Sequence, residues 1–188
     1  MKSVVLSGSV AGTKTIAVAR YTEQILRDQR PGDQVVLVDL SQHELVFSDG
    51  RNYLDYTGDT KTVVTEVMEA ELVIIASPIY QASIPGGLKN LLDLLPSDAF
   101  RDTVVGMIIT AGSLRHYHIP ETQFKPVLAY LKAQVLANYV FIEDKDIHRG
   151  EVDDDDAVLR IHRFVDDALT TAEVFQEVQR RKDRQYGF

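Results

Sequence analysis

Five short apolar segments recur at fairly even intervals along the chain and alternate with segments that carry a helical pattern. The first four apolar segments are nearly continuous in Val, Ile and Leu, which is typical of strands buried on both faces of a parallel sheet. The apolar segments are 3–8, 35–40, 72–77, 104–110 and 135–142, and the helical ones are 13–29, 61–69, 85–94, 120–133 and 153–180. The alternation predicts a doubly wound α/β domain with helices on both faces of the sheet.

Two segments add detail to this pattern. Residues 41–59 are polar and aromatic, with room for one short helical turn, and loops of this length are often functional or contribute to subunit contacts. The last helix, within 153–188, opens on the aspartates 153–156, which complement a helix dipole better than they form a metal site. We expect its charged tail to fray after Gln176. Because no linker or repeat is present, 1–188 is predicted to be a single domain.

Composition and charge narrow the classes of function. The chain has no cysteine, which excludes disulfides and thiolate chemistry, and its net charge of −8 argues against binding to nucleic acid or to anionic lipid. No apolar run approaches the roughly 20 residues of a membrane span, and the N-terminus turns polar too early for a signal peptide. We therefore expect a cytoplasmic protein, in which an anionic ligand needs a local pocket rich in N–H groups.

The first candidate site follows the first predicted strand, in SGSVAGTKTIAVAR at residues 7–20. The N-terminus of the helix that begins here offers unpaired N–H donors and a positive dipole end, both of which favour a phosphate. Ser9, Thr13 and Thr15 add hydroxyl donors, and Lys14 adds a positive charge. The segment predicts a phosphate site at the sheet edge where ligands bind in such folds, although a capped helix beside a solvated loop would use the same residues.

Two glycines flank this turn, and we expect both Gly8 and Gly12 to let the backbone approach a ligand closely. Neither common nucleotide fingerprint is present. Thr13 stands where a P-loop has its lysine, and Val10 replaces the second glycine of GxGxxG. A terminal monophosphate therefore suits the turn better than a triphosphate does.

The second candidate site is SPIYQASIPGGLKNLLDLLP at residues 77–96, after the third predicted strand. Pro78 ends the strand, and Ile79, Tyr80 and Gln81 are expected to form a turn with outward-facing backbone amides. An aromatic side chain beside free amides suits a planar ring with polar edges. A tyrosine that merely fills space in a proline-containing turn is the alternative.

Three motifs together resemble the NADPH-dependent FMN reductases of the flavodoxin-like superfamily. They are the turn at 8–15, the segment 77–96, and TAGSLRHYHIPETQFKPVLAYLKA at 110–133. The third segment is similar to a region of the reductases that supply reduced FMN to alkanesulfonate monooxygenases. The resemblance covers roughly residues 2–145 and implies a five-stranded parallel sheet in the order 2-1-3-4-5.

The resemblance also implies roles for individual residues. Ser9, Thr13, Lys14 and Thr15 would hold the FMN phosphate; Pro78, Ile79, Tyr80 and Gln81 would line the isoalloxazine ring; and Ala111, Gly112 and Ser113 would flank its other edge. Arg115 and His116 are candidates for contact with NAD(P)H, with a solvated loop cation as the alternative for Arg115. No metal site is expected, because His116 and His118 lack further ligands.

The implied activity is reduction of FMN by hydride transfer from NAD(P)H. Electrons would pass to free flavin or to a small acceptor such as a quinone, an azo compound or a metal oxyanion, and a flavin-dependent monooxygenase is a candidate partner. A homodimer or homotetramer is expected. A non-enzymatic electron carrier of the flavodoxin type is the alternative, whereas a hydrolase would need a GxSxG elbow that the sequence lacks.

The sequence departs from the family pattern at three positions. Ala11 stands where the first turn usually carries arginine, so Lys14 is expected to supply that charge. Ala111 replaces a glycine of the third motif. Thr122 occupies the place of a tyrosine that the sulfonate-linked branch associates with tetramer contacts.

Overall fold

The computed structural model describes residues 1–186 and contains a parallel sheet with helices on both faces. The main strands are β1 (Lys2–Ser7), β2 (Gln34–Asp39), β3 (Leu72–Pro78), β4 (Val104–Ala111), β5 (Gln134–Val135) and β6 (Val140–Glu143). The helices are α1 (Lys14–Gln29), α2 (Gly58–Met68), α3 (Gly86–Leu94), α4 (Lys125–Tyr130) and α5 (Asp155–Tyr186). Their alternation confirms the predicted α/β class.

The strand order is β2-β1-β3-β4, and both β5 and β6 pair with β4 in parallel. The predicted order 2-1-3-4-5 is therefore confirmed, but the fifth position is filled by two short strands instead of one continuous strand. The backbone N–H of Leu136 still donates to the carbonyl of Val105, after which the chain leaves the ladder until Val140. Within this break the hydroxyl of Tyr139 donates to the carbonyl of Tyr117 at 2.6 Å.

Two apolar layers explain why the central strands are hydrophobic on both faces. Val4 packs with α2, α3 and α4 on one face, whereas its neighbour Val5 packs with α1 and α5 on the other. Successive side chains of a strand point to opposite faces, so a sheet covered on both sides needs an uninterrupted apolar run. The need for apolar side chains on both faces explains the continuous Val, Ile and Leu segments that predict these strands.

The terminal helix α5 packs along the sheet with the apolar stripe that its sequence predicts, including Ile161, Val165 and Ala168. The expected fraying after Gln176 is wrong, because the helix continues to Tyr186. Its charged residues form pairs there, as between Arg181 and Glu177 at 2.7 Å. The final two residues of the predicted segment 153–188 lie outside the described part of the chain.

Several connecting segments shape the sheet edge. The loop 41–59 contains the short helical turn Tyr53–Asp55, as predicted, and a second such turn, Leu40–Gln42, overlaps its start. The predicted helix 120–133 begins as a π-helical turn, Pro120–Phe124, and becomes α-helical only in α4. A hairpin that the sequence did not indicate, β7 (Ile147–His148) and β8 (Glu151–Val152), leads from β6 across to α1.

Because β1, β3, β4 and β6 run in parallel, their carboxyl ends meet at one edge of the sheet. This is the edge at which ligands bind in open α/β sheets. The combination of length and apolar composition that a bilayer-spanning helix needs occurs nowhere within residues 1–186.

Candidate functional site

The turn between β1 and α1 has the properties of an anion site. Thr13 precedes the helix without using its side chain as a cap, and the first turn of α1 contains no acidic residue. The first N–H groups of a helix have no partner inside it and carry the positive end of the dipole. Gly12 adopts a φ of +86°, which residues other than glycine rarely reach, and a Cβ there would meet no atom within 4 Å. The turn is therefore shaped for close approach by a ligand.

The neighbouring glycine serves a different purpose. A Cβ on Gly8 would lie only 2.8 Å from Cδ2 of Leu88, and a Cβ on Gly87 would lie 2.7 Å from Cγ1 of Val10. The expectation that Gly8 opens the backbone to a ligand is therefore wrong, because α3 fills that space. These two glycines let the first turn and the start of α3 pack directly against each other.

The second turn is a tight reversal at Tyr80–Ser83. The backbone N–H of Tyr80 donates to the carbonyl of Ser83 at 3.2 Å, and the reverse bond measures 3.0 Å. Gln81 and Ala82, the two central residues, have φ of 50° and 56°, as in a type I′ turn. The amide of Tyr80 is thus occupied within the turn, which corrects the expectation that it faces outward.

The side chain of Tyr80 connects the second turn to the first. Its hydroxyl oxygen lies 3.3 Å from Oγ of Ser9 and 3.5 Å from the carbonyl oxygen of Ala11. Ser9 is almost fully buried, and its hydroxyl also donates to the carbonyl of Ala11. Ser9 therefore organises the turn from inside, while Tyr80 remains about half exposed and lines the cleft.

The end of β4 forms the third wall. Oγ1 of Thr15 and Oγ1 of Thr110 lie 2.8 Å apart, and both side chains are buried. Thr110 was not among the predicted site residues, although it opens the third motif in the sequence. The pair joins the start of α1 to the strand that carries Ala111 and Gly112.

These walls enclose one cleft of about 430 Å³. Of the predicted flavin-site residues, it is lined by Ser9, Thr13, Lys14, Thr15, Pro78, Ile79, Tyr80, Ala111 and Gly112. Gln81 and Ser113 do not line it. Ser113 instead accepts a bond from the N–H of Arg115 and caps a short turn, Leu114–His116, which places Arg115 and His116 at the same sheet edge beyond the cleft.

An acidic residue that the sequence did not indicate also lines this cleft. Asp144 follows β6, and its Oδ2 lies 2.7 Å from Nζ of Lys14. The charge that Lys14 was expected to offer to a phosphate is therefore shared with a carboxylate. Sequence gave no signal for this contact, because it depends on the path that the chain takes between β6 and the hairpin.

Close to this edge, burial raises the pKa of Tyr139 to about 12, and its contact with Tyr117 acts in the same direction. Tyr117 stacks obliquely on the ring of Tyr139, with the centroids 5.4 Å apart. The two tyrosines fix the segment that follows Leu114–His116. Within residues 1–186, no three His, Asp or Glu side chains come close enough together to hold a metal ion.

A parallel sheet in this strand order, with helices on both faces and a cleft at the carboxyl ends of its strands, defines a flavodoxin-like protein. Comparison of the sequence with known families identifies which kind. The chain belongs to the NADPH-dependent FMN reductase family, which matches residues 1–147. This membership confirms the predicted family and cofactors, and makes the chain a flavin-dependent NAD(P)H oxidoreductase.

Individual relatives agree with this assignment. An NAD(P)H-dependent FAD/FMN reductase of Geobacillus thermodenitrificans is 36% identical over 144 residues, which is 75% of this chain and 76% of that protein. An FMN reductase (NADPH) of Escherichia coli is 39% identical over 87 residues, which cover 46% of each chain. An NADPH azoreductase of a Bacillus species is 28% identical over 96% of this chain and 98% of its own.

A solved structure supports the fold. The apo form of the NADH:FMN oxidoreductase EMOB superposes with a TM-score of 0.72 at 23% identity, over 90% of this chain and 89% of that one. At this level of identity the similarity establishes the flavodoxin-like architecture.

Proposed function

We propose that the cleft binds FMN, with the phosphate group at the turn 8–15 and the isoalloxazine ring between the turn 78–81 and the segment 111–113. The observation that supports this most is that one cleft collects predicted residues from three separate loops. The turn before α1 and the side chain of Tyr80 line this cleft together, which suits a ligand with an anionic tail and a planar head.

The residues present suit such a ligand chemically. Thr13 keeps its hydroxyl free of helix capping, and Gly12 leaves open space before the first N–H groups of α1. Tyr80 offers an aromatic face, and Gly112 leaves the opposite edge slim. Bound FMN would supply the redox chemistry, accepting a hydride from NAD(P)H and passing electrons on. The chain would bind, orient and shield the flavin, and it would need no acid–base pair of its own.

Arg115 and His116 are proposed to contact NAD(P)H. They occupy the short turn that follows β4, directly beyond Gly112, and Arg115 is exposed. A guanidinium in this place can pair with a nucleotide phosphate. Ser113 holds the turn by accepting the N–H of Arg115.

The electron acceptor is proposed to be free flavin or a small molecule. An azo compound is a specific candidate, because the azoreductase relative aligns over almost the whole of both chains. A quinone, a metal oxyanion and a flavin-dependent monooxygenase supplied with reduced flavin are further candidates. We place this reaction in the cytoplasm.

A homodimer or homotetramer is proposed, with the loop 41–59 at the contact. This loop exposes Phe47 to 85% and Leu54 to 65%. Asn90 of α3 fixes it, accepting from the N–H of Ser48 and donating to the carbonyl of Val46. A fixed loop with exposed apolar tips is suited to an interface.

Sedimentation velocity of wild-type protein and of Phe47→Asp tests whether this loop forms the contact. An oligomer of the same size in the variant would show that the loop is not part of the contact.

One experiment tests the central proposal. Purified protein is expected to bind FMN, and with added FMN it should oxidise NADPH continuously in the presence of an azo dye or a quinone. Protein that fails to bind FMN would refute the site. A non-enzymatic carrier would bind FMN but show negligible turnover.

A further inference from the structure

Lys14 and Asp144 form an ion pair that spans the cleft. Lys14 lies in the first turn of α1, after the central strand β1, whereas Asp144 follows β6 at the far side of β4. Nζ and Oδ2 are 2.7 Å apart, and each side chain is about half exposed. The pair thus joins two walls that are otherwise separated by the ends of β3 and β4.

The carboxylate of Asp144 belongs to the interior of the site. A Cβ on Gly112 would lie 3.5 Å from its Oδ2, so the carboxylate sits directly beside the third wall. Of the described residues that line the cleft, Lys14 is the sole cation and Asp144 the sole anion. The side chains around the cleft therefore carry no net charge, although the proposed ligand ends in a phosphate.

A flavin phosphate and Asp144 make competing demands on the same ammonium group. A phosphate monoester carries a charge of about −1.5 to −2 at neutral pH, so it attracts Lys14 and is repelled by a nearby carboxylate. When the phosphate binds, Lys14 either divides its hydrogen bonds or leaves Asp144. In both cases, part of the attraction between Lys14 and the phosphate is lost.

We propose that Asp144 is a specificity-determining residue that weakens FMN binding by competing with the phosphate for Lys14. The preference for FMN over riboflavin is then smaller than the turn alone would give. This inference rests on the proposed function of the cleft. It assigns a role to an acidic residue that a phosphate site would not be expected to contain.

Flavin binding by four proteins tests the competition. Dissociation constants for FMN and riboflavin are measured by quenching of flavin fluorescence in wild type, Asp144→Asn, Lys14→Met and the double variant. Because both partners are half exposed, Asp144→Asn is expected to tighten FMN binding by about two- to fivefold and to leave riboflavin binding unchanged. Lys14→Met weakens FMN binding, and in its background Asp144→Asn keeps only the gain that comes from direct repulsion between carboxylate and phosphate, which is smaller than its gain in the wild-type background.

Asp153→Asn is the matched control. It removes the same charge from an exposed aspartate of the same region whose partner is His148, outside the cleft, so FMN binding should not change. Circular dichroism confirms that each variant is folded.

Three results would overturn the inference: FMN binding that is unchanged or weaker in Asp144→Asn, an equal change for riboflavin, or a full gain without Lys14. Wild-type protein that binds neither flavin would refute the proposed function and this inference with it. If wild-type protein binds FMN and Asp144→Asn binds it with the same affinity, the inference is refuted and the proposed function is not.

Discussion

The hydroxyl groups of Thr15 and Thr110 lie 2.8 Å apart in the interior, and so join the first turn of α1 to the end of β4. Both side chains are buried, and each hydroxyl has the other as its partner. One helix start and one strand end are thereby fixed relative to each other at the base of the cleft. The position of the turn between β1 and α1 depends on this contact as well as on the strand from which the turn emerges.

Thr15→Val is expected to destabilise the unliganded protein by about 1–3 kcal/mol, because it leaves the hydroxyl of Thr110 buried without its partner. Thr15→Val combined with Thr110→Val should cost less than the sum of the two single changes, since no orphaned hydroxyl remains. Urea unfolding measures each value. Thr62→Val, on the exposed side of α2, is the control and should change the free energy of unfolding by less than about 0.5 kcal/mol. Additive single effects would show that the two hydroxyls do not interact.

Thr13→Val is expected to weaken FMN binding about five- to tenfold, because its hydroxyl is a donor that the helix does not use. Riboflavin has no phosphate, so its dissociation constant should stay the same and acts as the internal control. Isothermal titration with both flavins provides the measurement. An equal loss for the two flavins would move the phosphate away from Thr13.

Gly106→Ala should destabilise the fold by about 1–3 kcal/mol through overpacking. The added Cβ would lie 2.6 Å from Cζ of Phe164 and 2.9 Å from Cδ1 of Leu136, between β4 and α5. Gly32→Ala is the matched control, because a Cβ at that position meets no atom within 4 Å. Denaturant unfolding compares the two, and equal stabilities would mean that α5 can shift away from the sheet at little cost.

The pKa of Tyr139, raised to about 12 from an ordinary value of 10.0, predicts a dependence of stability on alkaline pH. Between these two values the folded protein retains a proton that the unfolded chain has lost. Stability from this group is therefore complete below pH 10 and is lost as the pH rises towards 12. Tyr139→Phe should flatten that decline in urea midpoints measured from pH 9 to pH 12. It should also remove one late-titrating group from the tyrosinate absorption of the folded protein.

The same variant, Tyr139→Phe, also has an expected effect on the free energy of unfolding at neutral pH. Loss of the 2.6 Å bond to the carbonyl of Tyr117 should lower the free energy of unfolding by about 1 kcal/mol. An alkaline decline as steep as that of wild type would assign the effect to another group.

The sequence was most informative where burial imposes a pattern. The strands β1 to β4 are covered on both faces, so their uninterrupted apolar runs marked them within one or two residues. The fifth run gave no sign of its division, and within the break Tyr139 bonds to the carbonyl of Tyr117, a contact between distant residues that local sequence does not reveal. Continuation of α5 to Tyr186 was missed because charge alone suggested fraying, whereas pairs such as Arg181 with Glu177 hold the last turns.

The site was predictable to the extent that its residues lie next to strand ends. Three loops that follow β1, β3 and β4 must meet at one sheet edge, so the sequence alone groups their polar residues. The conformation of the second turn could not be predicted, because a type I′ turn favours Asn and Gly and here holds Gln81 and Ala82. The contact of Asp144 with Lys14 could not be predicted either, because it depends on the path of the chain between β6 and a hairpin that the sequence did not indicate.

The close contacts of Gly8 with Leu88 and of Gly87 with Val10 have a mechanical consequence. Each segment contributes one glycine and one aliphatic side chain, so the turn between β1 and α1 and the start of α3 interlock in both directions. A ligand cannot push one of them outward without carrying the other along. The width of the cleft on this side is therefore set by contact between apolar groups, which ionic strength leaves unaltered.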